Sequence, residues 1–124
     1  MLELRNVSFY YEEKHKILDH VSLSFPNHGL VMIEGESGSG KSTLLSLLHH
    51  EKEVKEGDIL FFHQSLKEMN EQEKMDYRLF SCGVVYQDYG LFSHLSIEEN
   101  LKMFMSVVNK NEDIPTLLKK VGLS

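Results

Sequence analysis

The sequence holds a single cysteine, Cys82, which excludes an internal disulfide and makes a reducing compartment the default. Positive charge is scarce too: 13 Lys and Arg stand against 19 Asp and Glu, a formal net charge of −6. A protein that grips nucleic acid through counterion release needs a basic face, so this balance argues against such a partner. Long apolar runs are missing. The first residues, MLELRNVSFYYEEK, lack the apolar core of a secretory leader, and uninterrupted runs such as Leu30–Ile33 are too short to cross a bilayer. No internal repeat or low-complexity tract occurs. What is present is an ordinary globular composition, 41% hydrophobic over 124 residues, for which one domain is the limit. These features predict a soluble, cytosolic single domain over residues 1–124.

Leu2, Leu4, Val7 and Phe9 carry a period-two pattern with one slip, which predicts a strand over Leu2–Tyr10. Tyr11–Lys16 (YEEKHK) reads as a polar turn. Val21, Leu23 and Phe25 alternate with serines as a half-buried strand does, and Pro26-Asn27-His28-Gly29 breaks it. Leu30–Ile33 is a continuous apolar run, the pattern of a strand covered on both faces. Leu44, Leu45, Leu47 and Leu48 then sit at helical spacing. Downstream, Ile59–Phe62 reads as a strand, Glu68–Phe80 as a charged helix and Gly83–Tyr86 as a buried strand. Ser96-Ile97-Glu98-Glu99 has capping-box spacing and predicts a helix to about Asn109, while Pro115 marks the first turn of a last short helix. Strands in front, helices behind and a central strand–loop–helix indicate an α/β fold.

The chemistry concentrates in Gly35-Glu36-Ser37-Gly38-Ser39-Gly40-Lys41-Ser42, which matches G-x-x-x-x-G-K-[ST]. Glycines allow a backbone tight enough to aim successive N–H groups at one phosphate, and the following helix start adds its positive end. Lys41 supplies a mobile charge for the β- and γ-phosphates, and the Ser42 hydroxyl is placed to ligate Mg²⁺. The bland alternative is a flexible glycine-serine turn that happens to precede a lysine. A chance match in a chain this long is on the order of one in a few hundred, and the apolar run before the loop and leucine helix after it sharpen the signal. Many unrelated proteins share this loop, so it specifies a ligand and not a task.

The flanking strings specify more. LELRNVSFYY, ILDHVSLSF and HGLVMIEGESGSGKSTLL precede or contain the loop, and Gly57-Asp58-Ile59, Arg78, Gly83-Val84-Val85-Tyr86-Gln87, Leu91-Phe92 and Leu95–Leu101 follow it. Taken together, the chain resembles the ATP-binding subunit of ABC transporters over essentially its whole length. The GESGSGKSTLL and VVYQDYGLF strings look closest to the subgroup exporting peptides, bacteriocins or lipoproteins. The resemblance implies a phosphate-loop NTPase fold with an N-terminal β subdomain, and ATP and Mg²⁺ as ligands. It implies adenine stacking on Tyr11, with Tyr10 as the alternative, and a phosphate cradle from Gly35, Glu36, Ser37, Gly38, Ser39, Gly40, Lys41 and Ser42. Thr43 is implied to reach the α-phosphate. Lys41 and Gln87 are the implied catalytic residues, with Ser42 and Gln87 approaching Mg²⁺ and Gln87 the attacking water. The segment Asp88–Leu95 is implied to face a transmembrane permease, although Leu91 and Phe92 read equally well as local core. A second nucleotide-binding subunit and a peripheral position on the inner face of the cell membrane complete the implied assembly.

Two features depart from the pattern. His49-His50-Glu51 follows the leucine helix where the family usually continues with small and apolar residues. Two histidines do not make a metal site, which wants three or four convergent ligands, so they read as a solvated helix end. Cys82 has no adjacent His or Lys to lower its pKa and reads as a small buried residue. In the resembled family, a signature motif, a strand ending in an acidic pair and a switch histidine follow the region matched here. None occurs in these 124 residues, and no histidine follows His94. The leading expectation is the N-terminal half of an ATP-binding subunit that powers transport across the membrane by ATP binding and hydrolysis with a permease partner. This chain alone is expected to bind ATP without hydrolysing it. The alternatives are a truncated, non-catalytic nucleotide-binding fragment with no transport role and an unrelated phosphate-loop enzyme such as a small-molecule kinase.

Overall fold

Two long strands open the chain. In the computed structural model, β1 (Leu2–Glu12) and β2 (His15–Phe25) form an antiparallel hairpin in which Glu12 faces His15 across a two-residue turn. Most of YEEKHK is thus strand rather than turn. Its side chains are exposed on both faces, so the hairpin end leaves no apolar alternation in the sequence. β3 (Glu56–Phe61) pairs antiparallel with the other edge of β1, Leu4 facing Ile59, and β4 (Gln64–Ser65) adds to β3. The sheet order is β2-β1-β3-β4.

The slip in the β1 pattern is a real irregularity. Register shifts occur on both sides of Val7, and Asn6 adopts a positive φ of 48°. Gly57 sits against this bulge at φ +78°, where a Cβ would lie 2.3 Å from the Asn6 carbonyl oxygen. Only glycine lets β3 cross there. Ser8, fully buried, accepts the His20 N–H on its hydroxyl at 3.1 Å, which satisfies a backbone donor beside the irregularity.

The described residues, 1–123, divide into two compact units, Met1–Cys82 and the stretch from Gly83 onward. The core of the first unit joins Leu4, Val7, Phe9, Leu18 and Ile59 of the sheet to Leu44, Leu47 and Leu48 of α1 (Lys41–Leu48), with Leu66, Met69 and Tyr77. The helix expected over Glu68–Phe80 is divided. A 3-10 turn covers Leu66–Glu68, α2 spans Glu71–Asp76 and a π-helical turn spans Tyr77–Ser81. A capping box between Asn70 and Glu73 starts α2 late, and Tyr77 turns inward to 3% exposure.

In the second unit α3 (Ile97–Val107) begins where the sequence predicts. The Glu99 N–H donates to Ser96 Oγ at 3.2 Å, and the Ser96 N–H donates to Glu99 Oε2 at 2.7 Å. α4 (Ile114–Lys120) carries Pro115 in its first turn, capped by Asp113. Two expected strands do not form. Leu30–Ile33 and Gly83–Tyr86 join no sheet among the described residues, and Leu30 and Val85 are 92% and 88% exposed. An apolar run becomes a buried strand only where neighbours accept its ladder bonds and layers cover its faces. The four paired strands here accept no ladder bonds from these segments, and of their residues only Ile33 packs against the core.

Candidate phosphate-binding site

The glycine loop folds as its spacing demands. Gly38 and Gly40 take φ of 81° and 95°, and the Ser39 N–H donates to the Glu36 carbonyl at 3.2 Å to close the turn. Gly40 is the N-cap of α1, and a Cβ there would approach Ile17 Cγ2 to 2.9 Å, so β2 and the loop are tightly seated.

The start of α1 differs from those of the other described α-helices. α2, α3 and α4 each satisfy an N-terminal N–H with the side chain of Asn70, Ser96 or Asp113. α1 has no side-chain cap and no acidic residue in its first turn. Its N–H groups and positive end therefore face the loop ready for an anion. The Lys41 ammonium lies across the loop, donating to the carbonyl oxygens of Gly35 at 2.7 Å and Glu36 at 2.6 Å and to Ser39 Oγ at 3.3 Å. These bonds hold a positive charge at the cradle, where a phosphate would take them over. A cleft of about 430 Å³ opens here, lined by Ser37, Gly38, Gly40, Lys41, Ser42 and Thr43, and by His15 and Ile17 of β2. Its size suits a nucleotide-sized ligand. The donor set fits the groups implied for it: amides and an ammonium for phosphates, and the Ser42 hydroxyl as an oxygen ligand for Mg²⁺.

Gly35–Thr43 are thus gathered around this cleft, and within the same unit Tyr10 and Tyr11 do not line it. Tyr11, 64% exposed, packs edge-on to Phe9 at 5.1 Å, and Lys52 Nζ lies 5.3 Å from its ring centre. Tyr10 is half-buried, with Lys55 Nζ at 6.0 Å from its ring. Gln87 belongs to the second unit, exposed on the turn Gln87–Gly90. Sequence reasoning missed His15 and Ile17, whose only signal was their two-residue spacing on one strand face.

The Asp88–Leu95 segment is organised by Asn100, which is 7% exposed. Its side-chain oxygen accepts the Phe92 N–H at 2.9 Å, and its amide nitrogen donates to the carbonyls of Phe92, Leu95 and Ser96 at 2.9–3.2 Å. An apolar cleft of about 230 Å³ lies here, lined by Leu91, Phe92, Leu95, Ile97, Leu101 and Phe104 together with Ser93 and Asn100.

The histidine pair is not a solvated helix end. His50 is 7% exposed at φ 59°, and Arg78 donates to its carbonyl oxygen at 3.2 Å. Burial, and then the nearby Lys74 charge, push its imidazole below the usual range. Cys82 is half-buried, and burial pushes its thiol up, away from nucleophilic use.

A glycine loop between a sheet and a helix start, with a lysine across it, defines an α/β phosphate-loop protein. The family follows from comparison with known proteins: the ABC transporter family model matches residues 18–124, and the chain belongs to that family. It is 34% identical over 98% of its length to the probable multidrug resistance ABC transporter ATP-binding/permease protein YheH of Bacillus subtilis, covering 17% of that protein. It is 30% identical over 97% of its length to the cell division ATP-binding protein FtsE of the same organism, covering 51% of it. Among solved structures, the dimeric post-hydrolysis state of the ATP-binding cassette MJ0796, bound to ADP and Pi, matches with a TM-score of 0.75 at 27% identity. That match covers 91% of this chain and 49% of the cassette. The chain thus spans about half the length of the cassette and of the cell division protein.

Proposed function

We propose that the chain is the ATP-binding part of an ABC-type transport ATPase, with Gly35–Thr43 as its phosphate cradle. The observation that carries this reading is the uncapped start of α1 with Lys41 held across the loop. Backbone amides of the loop surround the β-phosphate, Lys41 neutralises the β/γ charge and Thr43 takes the α-phosphate side. Ser42 is the ligand offered to Mg²⁺, with Gln87 as the second candidate; the ion would supply positive charge to offset that of the phosphates. The support comes from the motif, the geometry of the cleft and the ADP and Pi bound to the similar cassette.

The partners are a transmembrane permease, met through Asp88–Leu95, and a second nucleotide-binding subunit, placing the protein on the inner face of the cell membrane. The apolar cleft held by Asn100 supports the permease assignment, because an apolar groove on an exposed segment suits a docking helix. No helix among the described residues is long and apolar enough to cross a membrane.

By itself this 124-residue chain binds Mg·ATP and does not turn it over. In-line hydrolysis needs a positioned water and a general base. Gln87, the residue proposed to touch that water, has an amide that does not titrate.

The test is calorimetric titration of the chain with Mg·ATP and Mg·ADP. Lys41→Ala should weaken both by about 1.5–3 kcal/mol, the worth of a charge-assisted contact. Equal affinities for wild type and variant would remove the reading. Phosphate release under excess Mg·ATP should match that of the Lys41→Ala control. Turnover well above that control would show that the chain is catalytic alone.

A further inference from the structure

The cradle accounts for the polyphosphate end of a nucleotide, yet the cleft continues past it. Of its lining residues, only His15 and Ile17 come from outside the loop and α1. Both lie on β2, two residues apart, so their side chains share one face of the strand, roughly 6–7 Å apart along it. Ile17 is the inner of the two. Its Cγ2 would be 2.9 Å from a Cβ at Gly40, and its carbonyl oxygen 3.3 Å, which seats it directly against the loop.

His15 therefore stands one strand step further out, at the mouth of the cleft. It is exposed, and among the described residues its ring nitrogens have no hydrogen-bond or ion-pair partner. The imidazole is a free donor beside a cleft that otherwise offers only the loop's own groups.

We propose that His15 is a nucleotide-contacting residue whose ring N–H donates to a ribose oxygen of a nucleoside di- or triphosphate seated in the loop. The inference rests on the nucleotide reading above. A ligand whose β- and γ-phosphates occupy Lys41 and Ser42 is longer than the cradle and must leave it toward the mouth. There the β2 wall presents an apolar side chain followed by a polar one. Ile17 backs the tight turn, and His15 is the first side chain beyond it able to bond an oxygen. Every imidazole state retains at least one N–H, so the contact does not require a charged ring.

The experiment separates the segment contacted from the cradle itself. Mg·ATP, Mg·ADP and Mg·tripolyphosphate are titrated by calorimetry into the wild type, His15→Ala, His15→Gln and Lys41→Ala, with thermal melts to confirm folding. His15→Ala should weaken ATP and ADP about threefold to tenfold, the worth of one hydrogen bond, and leave tripolyphosphate unchanged. His15→Gln, which keeps a donor, should recover part of the loss. Unchanged ATP affinity in His15→Ala, while Lys41→Ala weakens binding, would overturn the assignment and leave the cradle reading standing. An equal loss for tripolyphosphate would also overturn it, by moving the contact onto the outer phosphates. No ATP binding by the wild type would remove the cradle reading, and the role of His15 with it.

Discussion

The Tyr77 hydroxyl donates to the carbonyl oxygen of Leu48 at 2.6 Å, joining the π-helical turn to the C-terminal end of α1. The bond spans 29 residues of sequence and is buried. Since α1 begins at the phosphate loop, Tyr77 anchors the far end of the helix whose start forms the cradle. Burial drives the phenol's pKa upward, so it stays a donor at any ordinary pH.

Tyr77→Phe keeps the ring and leaves a buried helix carbonyl unpaired. The expected cost is about 1–3 kcal/mol of stability, the penalty of an unsatisfied buried group rather than the net value of one bond. Urea unfolding of the purified variant measures it. A midpoint equal to that of the wild type would show that the Leu48 carbonyl finds another partner.

His50 predicts a pH dependence with a definite sign. Its imidazole is held below the ordinary value of 6.5, first by burial and then by the Lys74 charge. The unfolded chain therefore binds this proton before the folded one does as pH falls. The stability tied to neutral His50 is complete above 6.5 and declines as pH drops through the depressed folded value. Between about pH 7.5 and about pH 5.5 the wild type should lose urea resistance, and His50→Gln should lose less of it. Parallel declines in the two proteins would assign the loss to other groups.

Asn100 makes one bond as acceptor and three as donor to the chain between Phe92 and Ser96. Asn100→Asp keeps the acceptor but loses every donor, and Asn100→Ala loses both. Hydrogen exchange at the Phe92 amide should quicken strongly in Asn100→Ala and weakly in Asn100→Asp, with β1 amides unaffected in both. Equal protection of Phe92 in all three proteins would mean that the loop holds its shape without this side chain.

Tyr11 presents an exposed ring, whereas Tyr10 is half-buried beside Lys55. If the base stacks on Tyr11, Tyr11→Ala should weaken adenine and guanine nucleotides alike by about 0.5–1.5 kcal/mol, because stacking reads a ring face and not an edge pattern. Competition titrations with both nucleotides decide it. A larger loss in Tyr10→Ala would move the stacking role one residue upstream.

Local chemistry determined what was legible in the sequence. The loop of residues 35–42 is built from consecutive residues, so spacing alone specified its turns and its lysine. The capping box at Ser96 joins residues three apart and was legible for the same reason. The β1 slip around Val7 was visible as broken alternation and proved to be a bulge.

Tertiary structure decided the rest, because the relevant partners lie far apart in sequence. Leu30–Ile33 and Gly83–Tyr86 read as buried strands from composition, but burial belongs to a strand's neighbours and not to its residues, and here all but Ile33, which packs against the core, stay exposed. His49-His50 read as a wet helix end, but His50 takes a left-handed turn, is buried, and has Arg78 bonded to its carbonyl from 28 residues away. His15 carries no motif at all. Its place at the cleft comes from the pleat of β2, which sets its side chain on the same face as Ile17, the residue that meets Gly40.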